Sequence, residues 1–140
     1  LDTAALGGMY ADSITLIANE KGVGVKNAGT LEAAKQLIVT SSGRIENSGR
    51  IATTADGTEA SPTYLSIETT ETGAAGAFIS NGGRIESKGL LVIDTGEDIG
   101  LRNGAVVQNN GNRPAATVLN AGRNLVIESK ANVNNAKGST

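Results

Sequence analysis

The segment Ile45-Glu-Asn47-Ser-Gly49-Arg-Ile51 is the clearest indication of the fold, because it joins two alternating apolar segments through an Asn-x-Gly turn. The same phrase, apolar-x-Asn-x-Gly-x-apolar, occurs at residues 25–31 and 79–85, and a variant with Ser in place of Asn occupies residues 85–91. Shorter copies begin at Val107 and Val118. The spacing is about twenty residues, and a unit of that length cannot enclose a core alone. Each copy must therefore stack on the next.

Apolar side chains alternate with polar ones along most of the chain, as in Ile14-Thr-Leu16 and Leu65-Ser-Ile67. This period of two is typical of β-strands, and Gly, Asn and Ser separate the alternating segments. The predicted strands cover residues 14–18, 22–26, 37–40, 43–46, 50–53, 64–68, 77–80, 84–86, 89–94, 99–102, 105–108, 117–119, 125–128 and 132–134. Residues 30–37 fit one or two helical turns or a strand and turn, and both alternatives stay open.

The glycines are predicted at sharp turns that leave no room for a Cβ atom, often at positive φ. Asn also tolerates such turns, and its amide can bond to the equivalent Asn one coil away. Residues 53–62 and 108–114 each contain a Pro and interrupt the repeat, so they are predicted to be loops outside the coil. Residues 69–76 are predicted to form a smaller bulge.

These patterns predict an all-β fold, a right-handed parallel β-helix (solenoid) of about six or seven coils. Parallel strands need crossover connections, and a coil that always turns the same way provides them with short turns. The alternative is an antiparallel sandwich, which would not need the same phrase at matched positions. Nineteen glycines and many polar residues also suggest disorder, but the regular alternation argues against it.

The composition limits both the core and the chemistry. The aromatic residues are Tyr10, Tyr64 and Phe78, so aliphatic side chains must fill a thin core. There is no Cys and no His, which excludes disulfides, thiolate chemistry and a histidine base. No apolar run is long enough for a membrane-spanning helix. The chain begins at Leu1, and we expect residues 1–140 to be one β-helix segment internal to a much larger exoprotein.

Three phrases near the start carry a resemblance to a known family: Ala5-Leu-Gly-Gly-Met-Tyr-Ala11, Ser13-Ile-Thr-Leu-Ile17 and Gly22-Val-Gly-Val-Lys-Asn27. They resemble the filamentous haemagglutinin family of bacterial two-partner secretion exoproteins, which includes adhesins, haemolysins and the stick proteins of contact-dependent growth inhibition. The resemblance implies a secreted or cell-surface segment associated with the bacterial outer membrane. It also implies three kinds of partner: neighbouring coils, an outer-membrane transporter, and a receptor or glycan on a host or bacterial cell.

Acidic residues form three groups in the sequence, at Glu68 and Glu71, at Asp56 and Glu59, and at 94–98. Some β-helix proteins are polysaccharide lyases or hydrolases, and a glycosidase needs two carboxylates ~5–9.5 Å apart across a groove. No convincing pair is found, and we expect the group at 94–98 to lie on a turn with solvated side chains. The sequence therefore predicts no catalytic residue, no cofactor and no metal site. A carbohydrate-active enzyme is the alternative function.

Other ligand motifs are incomplete. Gly82-Gly83 lacks the Asp spacing of a calcium-binding repeat, and Gly22-Val-Gly24 lacks the rest of a nucleotide loop. Basic residues recur at similar repeat positions, and they are Arg44, Arg50, Arg84, Lys88, Arg102 and Arg123. Neighbouring Glu46, Glu86 and Glu128 predict a mixed ladder of ion pairs and no nucleic-acid surface. The predicted function is a structural and adhesive shaft that projects a distal tip.

Overall fold

The computed structural model describes residues 8–19, 23–58, 60–70, 79–111 and 115–135, and within these ranges the regular structure consists of β-strands. The strands are β1 (Gly8–Ala18), β2 (Val23–Asn27), β3 (Thr30–Ser41), β4 (Arg44–Asn47), β5 (Arg50–Thr53), β6 (Tyr64–Thr69), β7 (Ile79–Asn81), β8 (Arg84–Ser87), β9 (Leu90–Thr95), β10 (Ile99–Leu101), β11 (Val106–Asn109), β12 (Ala116–Ala121), β13 (Leu125–Ile127) and β14 (Asn132–Asn135).

The strands wind into a three-sided solenoid. Among the described residues, every pair of hydrogen-bonded strands is parallel. The first face stacks β2, β4, β7, β10 and β13. The second face stacks β5, β8, β11 and β14 on residues 30–33 of β3, and the third stacks β6, β9 and β12 on residues 36–41. Strand β1 pairs with β3 along both faces. The long strand β3 therefore crosses the corner between the second and third faces.

The parallel β-solenoid prediction is confirmed, and parallel pairing excludes the antiparallel sandwich. Residues 30–37 lie in β3, so the strand alternative is correct there. The right-handed winding remains an expectation from the crossover rule.

The predicted number of six or seven coils is wrong. The structure has four complete three-sided coils, beginning at β2, β4, β7 and β10, with a partial coil at each end. The estimate assumed a constant repeat. Asn27 and Asn47 are 20 residues apart, but Asn47 and the equivalent Asn81 are 34 apart because residues between β5 and β6 and between β6 and β7 lengthen that coil.

The core is a set of aliphatic columns that run along the solenoid. Ile45, Ile79 and Ile99 align on the first face and are at most 1 % exposed. On the third face the aligned residues are Leu37, Leu65 and Leu91, all fully buried. Burying one such side chain stabilises a fold by about 1.5–3 kcal/mol. Repetition of these columns stabilises the fold without large aromatic residues.

The turn glycines are required by close backbone approach. A Cβ atom on Gly49 would lie 2.0 Å from the carbonyl oxygen of Gly29, and one on Gly83 would lie 2.2 Å from that of Gly49. The expectation of frequent positive φ was wrong, since among the described residues the positive-φ glycine is Gly104. Distance to the preceding coil, rather than backbone conformation, selects glycine at these turns.

The first loop prediction is correct in kind, with its bounds shifted. Residues 54–58 and 60–63 lie outside the sheets between β5 and β6, and the hydroxyl of Thr63 closes this loop by donating to the Ala55 carbonyl at 2.6 Å. Residues 108 and 109 belong to β11, so the second predicted loop begins later. Residues 71–78, which hold most of the predicted bulge, lie outside the described residues, as do residues 112–114. The first strand begins at Gly8, six residues before the prediction.

Candidate functional surface

The corner between the first and second faces is built on a ladder of three buried asparagines. Asn27 Nδ2 donates to Asn47 Oδ1 at 2.8 Å, and Asn47 Nδ2 donates to Asn81 Oδ1 at 2.8 Å. The three side chains are at most 4 % exposed. The predicted bonding between equivalent asparagines of adjacent coils is confirmed. The ladder ends at Leu101, which pairs with Asn81 in the next coil.

The other two corners carry hydroxyl and amide groups at the equivalent inward position. At the corner after the second face, Thr53 Oγ1 donates to Ser87 Oγ at 3.3 Å, and Asn109 Nδ2 donates to the Gly89 carbonyl at 2.7 Å. At the corner after the third face, the Thr69 hydroxyl donates to Thr95 Oγ1. Among the described residues, no buried side-chain nitrogen or oxygen lacks a hydrogen-bond partner. Each corner is therefore polar inside and fully bonded.

The corners share one local bond, in which a side-chain oxygen accepts the backbone N–H two residues later. Asn81, Ser87 and Asn109 bind the N–H groups of residues 83, 89 and 111 in this way. Ser41 and Thr95 do the same for residues 43 and 97. The repeated phrase therefore occurs at two different corners. Its copies with Asn27, Asn47 and Asn81 lie at the corner after the first face, and its copies with Ser87 and Asn109 lie at the corner after the second face. The copy that begins at Val118 does not form a corner of this kind, because its Asn120 is exposed on an outer face.

The outer surface of the second face carries a network centred on Arg50. Its guanidinium bonds to Glu32 in the preceding coil and, at 3.5 Å, to Glu86 in the following one. Glu86 also accepts from Arg84 Nε at 2.6 Å. Ala52 occupies the position between Glu32 and Glu86 in the strand register and is fully buried although the alternation points it outward. A small residue at 52 leaves room for Arg50 to bridge the two carboxylates.

The network shifts the pKa values of Glu86 and Arg50. Partial burial opposes the charge on Glu86, but bonds and attraction to Arg84 and Arg50 outweigh it and lower the pKa of Glu86 below its ordinary value. Burial likewise opposes the charge on Arg50, yet Glu32 and Glu86 raise the pKa of Arg50 further. Both groups are therefore held in their charged forms.

Other basic residues of the predicted ladder are also paired with acids. Arg44 Nε lies 3.1 Å from Glu46, Arg102 Nη1 lies 3.0 Å from Glu128 and Arg123 Nη1 lies 3.4 Å from Glu97. This confirms the prediction of a mixed ion-pair ladder. The alternation of signs along the wall does not favour nucleic acid, which needs clustered positive charge.

A shallow depression of about 250 Å³ opens on the first face. Lys26 and Arg102 line it together with Glu46 and Ser80. Arg102 Nε donates to Ser80 Oγ at 3.2 Å. Glu46 is the one carboxylate among the lining residues, so the depression does not present the pair of carboxylates that glycoside hydrolysis requires.

The acidic residues singled out from the sequence fall in different places. Glu68 and Asp94 are aligned on neighbouring strands β6 and β9, where Asn120 Nδ2 donates to Asp94 at 2.9 Å. Glu97 is 8 % exposed and faces Arg123, which differs from the predicted solvated turn. Asp98 accepts from the backbone N–H of Asn124 at 3.0 Å. Asp56 is exposed in the 54–63 loop.

Two acidic residues of that set, Glu59 and Glu71, lie outside the described residues. Within the described ranges, no three acidic side chains are grouped so that they could hold a metal ion. The predictions of no metal and no catalytic residue remain predictions.

Comparison with known proteins finds similarity to part of two larger ones. Over 53 residues, 37 % of this chain, the sequence is 49 % identical to a protein named Toxin CdiA from Yersinia pestis. Over 50 residues, 35 % of the chain, it is 46 % identical to the tRNA nuclease CdiA-2 of Burkholderia pseudomallei (strain 1026b). Each match spans 2 % of the relative's length. The chain is thus a parallel β-solenoid with partial similarity to CdiA proteins.

The broader comparisons gave no match. No protein-family model and no solved structure matches the chain. None of the described segments is a helix of the length and apolar character that crossing a membrane requires. Of the resemblance found in the sequence, the part that concerns contact-dependent inhibition proteins is supported by the two partial CdiA matches, which do not themselves show the filamentous haemagglutinin family.

Proposed function

We propose that this chain is a shaft segment of a contact-dependent inhibition exoprotein of the filamentous haemagglutinin type. Its task is to hold a distal functional tip away from the bacterial surface, with adhesive contacts along its wall. The proposed location is secreted or at the cell surface in association with the outer membrane. Its partners would be neighbouring coils, the outer-membrane transporter of the parent protein, and a receptor or glycan on another cell.

The observation that carries this proposal is the set of corner ladders. The side-chain amides of Asn27, Asn47 and Asn81 are buried and hydrogen-bond to one another between adjacent coils. Arg50 on the outer wall likewise binds to the coils on either side of its own. Polar groups that often carry chemistry in other folds here serve the stacking of coils, which is what a spacer requires.

The nuclease named among the relatives supports a toxin as cargo of the parent protein rather than as an activity of this segment. The match to that nuclease spans 2 % of its length. This chain contains no His and no Cys, and its carboxylates at 86, 97 and 98 are bonded to groups of the solenoid itself. We therefore propose a non-catalytic segment. The polysaccharide lyase or hydrolase alternative has weaker support.

A coil deletion in the parent exoprotein tests the spacer role. Removing residues 28–47 joins Asn27 to residue 48 and preserves the Asn-x-Gly phrase and the strand register, so the tip should still be displayed and should still engage target cells. Removing residues 28–37 is the control, because it deletes half a coil, including the Asn-x-Gly turn and the second-face part of β3, so that β2 would run directly into a third-face strand; this should abolish display. Display is measured with an antibody against the tip. If the in-register deletion is displayed but no longer engages target cells, the coil acts as a binding site and the spacer role is wrong.

Product release tests the enzyme alternative. The purified chain, incubated with acidic and neutral polysaccharides with and without calcium, should release no product. Release that disappears in Glu68→Gln or Asp94→Asn, the two aligned carboxylates, would overturn the non-catalytic proposal.

A further inference from the structure

The outer surface of the third face carries an apolar stripe on β6, β9 and β12, with polar residues at its other outward positions. Val92 and Val118, which is 49 % exposed, are neighbours in one outward column, where Ser66 separates them from Ile38. Tyr64 and Leu90 lie half-buried in the neighbouring outward column. Equivalent outward positions on the first face include Lys26, Glu46 and Ser80, and those on the second face include Arg50 and Arg84.

This pattern indicates a sheet that is covered on both sides. Residues 37–39 and 90–93 are uninterrupted apolar runs, whereas β8 on the second face alternates the charged residues Arg84 and Glu86 with inward positions. Continuous apolar runs are typical of parallel strands that are buried on both surfaces. The interior of the solenoid covers one surface of the third face. The outer stripe formed by residues 64, 90, 92 and 118 is therefore suited to contact with a second apolar surface.

Opposite charges stand at the two ends of this face in the same coil. Lys88 lies at the corner just before β9, and Asp94 lies near the end of β9. Six residues of extended chain separate them, or roughly 20 Å. Leu90 and Val92 lie between them on the outward side. The face is thus apolar in the middle, positive at one rim and negative at the other.

We propose that the third face docks on the third face of a second copy of this chain, with the two solenoids side by side. A two-fold axis parallel to the solenoid axis would place Lys88 of each copy opposite Asp94 of the other in the same coil, with the apolar stripes between the two ion pairs. A two-fold axis along the strands would instead place Lys88 against Lys88. A closed two-fold interface is the commonest form of homo-oligomer.

The size of the face sets the strength of this contact. Strands of six residues and five stacked levels give a face of roughly 20 Å by 24 Å. Two such faces would bury about 1,000 Å², at the lower limit for a specific interface. The dimer of this chain should therefore be weak and reversible. In a longer solenoid the same face would be extended coil by coil.

Charge exchange between two variants tests the geometry. Lys88→Asp and Asp94→Lys each place like charges at both ion-pair positions of a homodimer, so each variant should dimerise at least tenfold more weakly than the unmodified chain. An equal mixture of the two restores both opposite-charge pairs and should form heterodimers as readily as the unmodified chain dimerises. Sedimentation velocity at low salt measures each species. The proposal is overturned if the single variants dimerise normally, or if the folded variants do not associate when mixed.

The apolar stripe is tested by a matched pair of substitutions. Val92→Glu on the third face should abolish the dimer, whereas Val106→Glu, at an outward position on the second face, should leave it unchanged. Because the sequence has no cysteine, oxidation of a Val92→Cys variant should cross-link two copies and oxidation of Val106→Cys should not. The proposal is wrong if the unmodified chain stays monomeric at millimolar concentration. It is also wrong if Val92→Glu leaves association intact, since contact through the solenoid ends or with another surface does not need this stripe.

Discussion

Asn47 donates its side-chain amide to Asn81 Oδ1 over 2.8 Å, although 34 residues separate the two along the chain. Both side chains are buried, and Asn47 also accepts the corresponding bond from Asn27. A side-chain amide at this position thus joins three successive coils.

Replacing Asn47 with Ala should therefore be strongly destabilising. The substitution removes both bonds of the ladder and the bonds from Asn47 Nδ2 to the carbonyls of residues 49 and 84, and it leaves Asn27 and Asn81 each one bond short in a buried corner. We expect the free energy of unfolding to fall by about 2–4 kcal/mol, as measured by urea denaturation. Asn120→Ala is the matched control, since this exposed Asn bonds to Asp94 alone, and it should change stability by less than about 0.5 kcal/mol. Equal effects of the two substitutions would contradict a structural role for the ladder.

Gly49→Ala should disrupt the stacking of coils. Its Cβ would meet the Gly29 carbonyl at 2.0 Å, so the two coils would have to separate and break their backbone bonds. We expect a loss of at least about 3 kcal/mol or failure to fold. Gly100→Ala is the control, because its Cβ would meet nothing within 4 Å, and it should be neutral or stabilising by up to about 1 kcal/mol. Circular dichroism and urea denaturation distinguish these outcomes.

Acid should weaken the network on the second face. The folded-state pKa of Glu86 is lowered, so its contribution to stability is present above its unfolded pKa and is lost as pH falls through the folded pKa. Unfolding curves collected from pH 7 downward should therefore show a smaller acid-induced loss for Glu86→Gln than for the unmodified chain. The control is Glu46→Gln, whose carboxylate pairs within its own strand with Arg44. A Glu86→Gln variant with an unchanged pH profile would argue against the network.

The loop at residues 54–63 should be the first site of proteolysis among the described residues. Thr63 is 1 % exposed and closes the loop through its bond to Ala55. Thr63→Val removes that bond and should accelerate cleavage within residues 56–61. Thr58→Val removes a bond that is exposed at the loop tip and should change the rate much less. Mass spectrometry of the first fragments identifies the cuts, and initial cleavage inside β8 or β9 would contradict this assignment.

The class of fold could be predicted from the sequence because the patterns that specify it lie within short segments of the chain. The Asn-x-Gly phrase and the alternation around Ile45 specify a turn between two strands, and the same phrase at residues 25 and 79 specifies stacking. The asparagine ladder followed from this. The polar residues at the other corners were missed as ladders because Ser41, Thr53 and Thr95 resemble ordinary turn residues. The signal that could have found them is a polar residue two positions before a turn, as in Ser41-Ser-Gly43.

Features that depend on alignment between distant segments could not be predicted. The number of coils required the true lengths of the loops, which have no fixed limit because they lie outside the ladder. The bridge from Arg50 to both Glu32 and Glu86 depends on two such alignments. The sequence indicated mixed charge at these positions, but not which carboxylates share one guanidinium. The apolar outer stripe of the third face was overlooked for the same reason, since Val92 and Val118 become neighbours in a column only once the register is known.

The two kinds of bond at each corner imply an order of assembly. The bond from Ser87 or Asn109 to the N–H two residues later forms within a single turn of chain. The amide bond from Asn27 to Asn47, in contrast, forms only after the next coil arrives. A coil can thus take shape on the one before it without contact with any later part of the chain. A polypeptide that emerges gradually from a narrow pore could fold at the rate of its release, and each finished coil would be the template for the next.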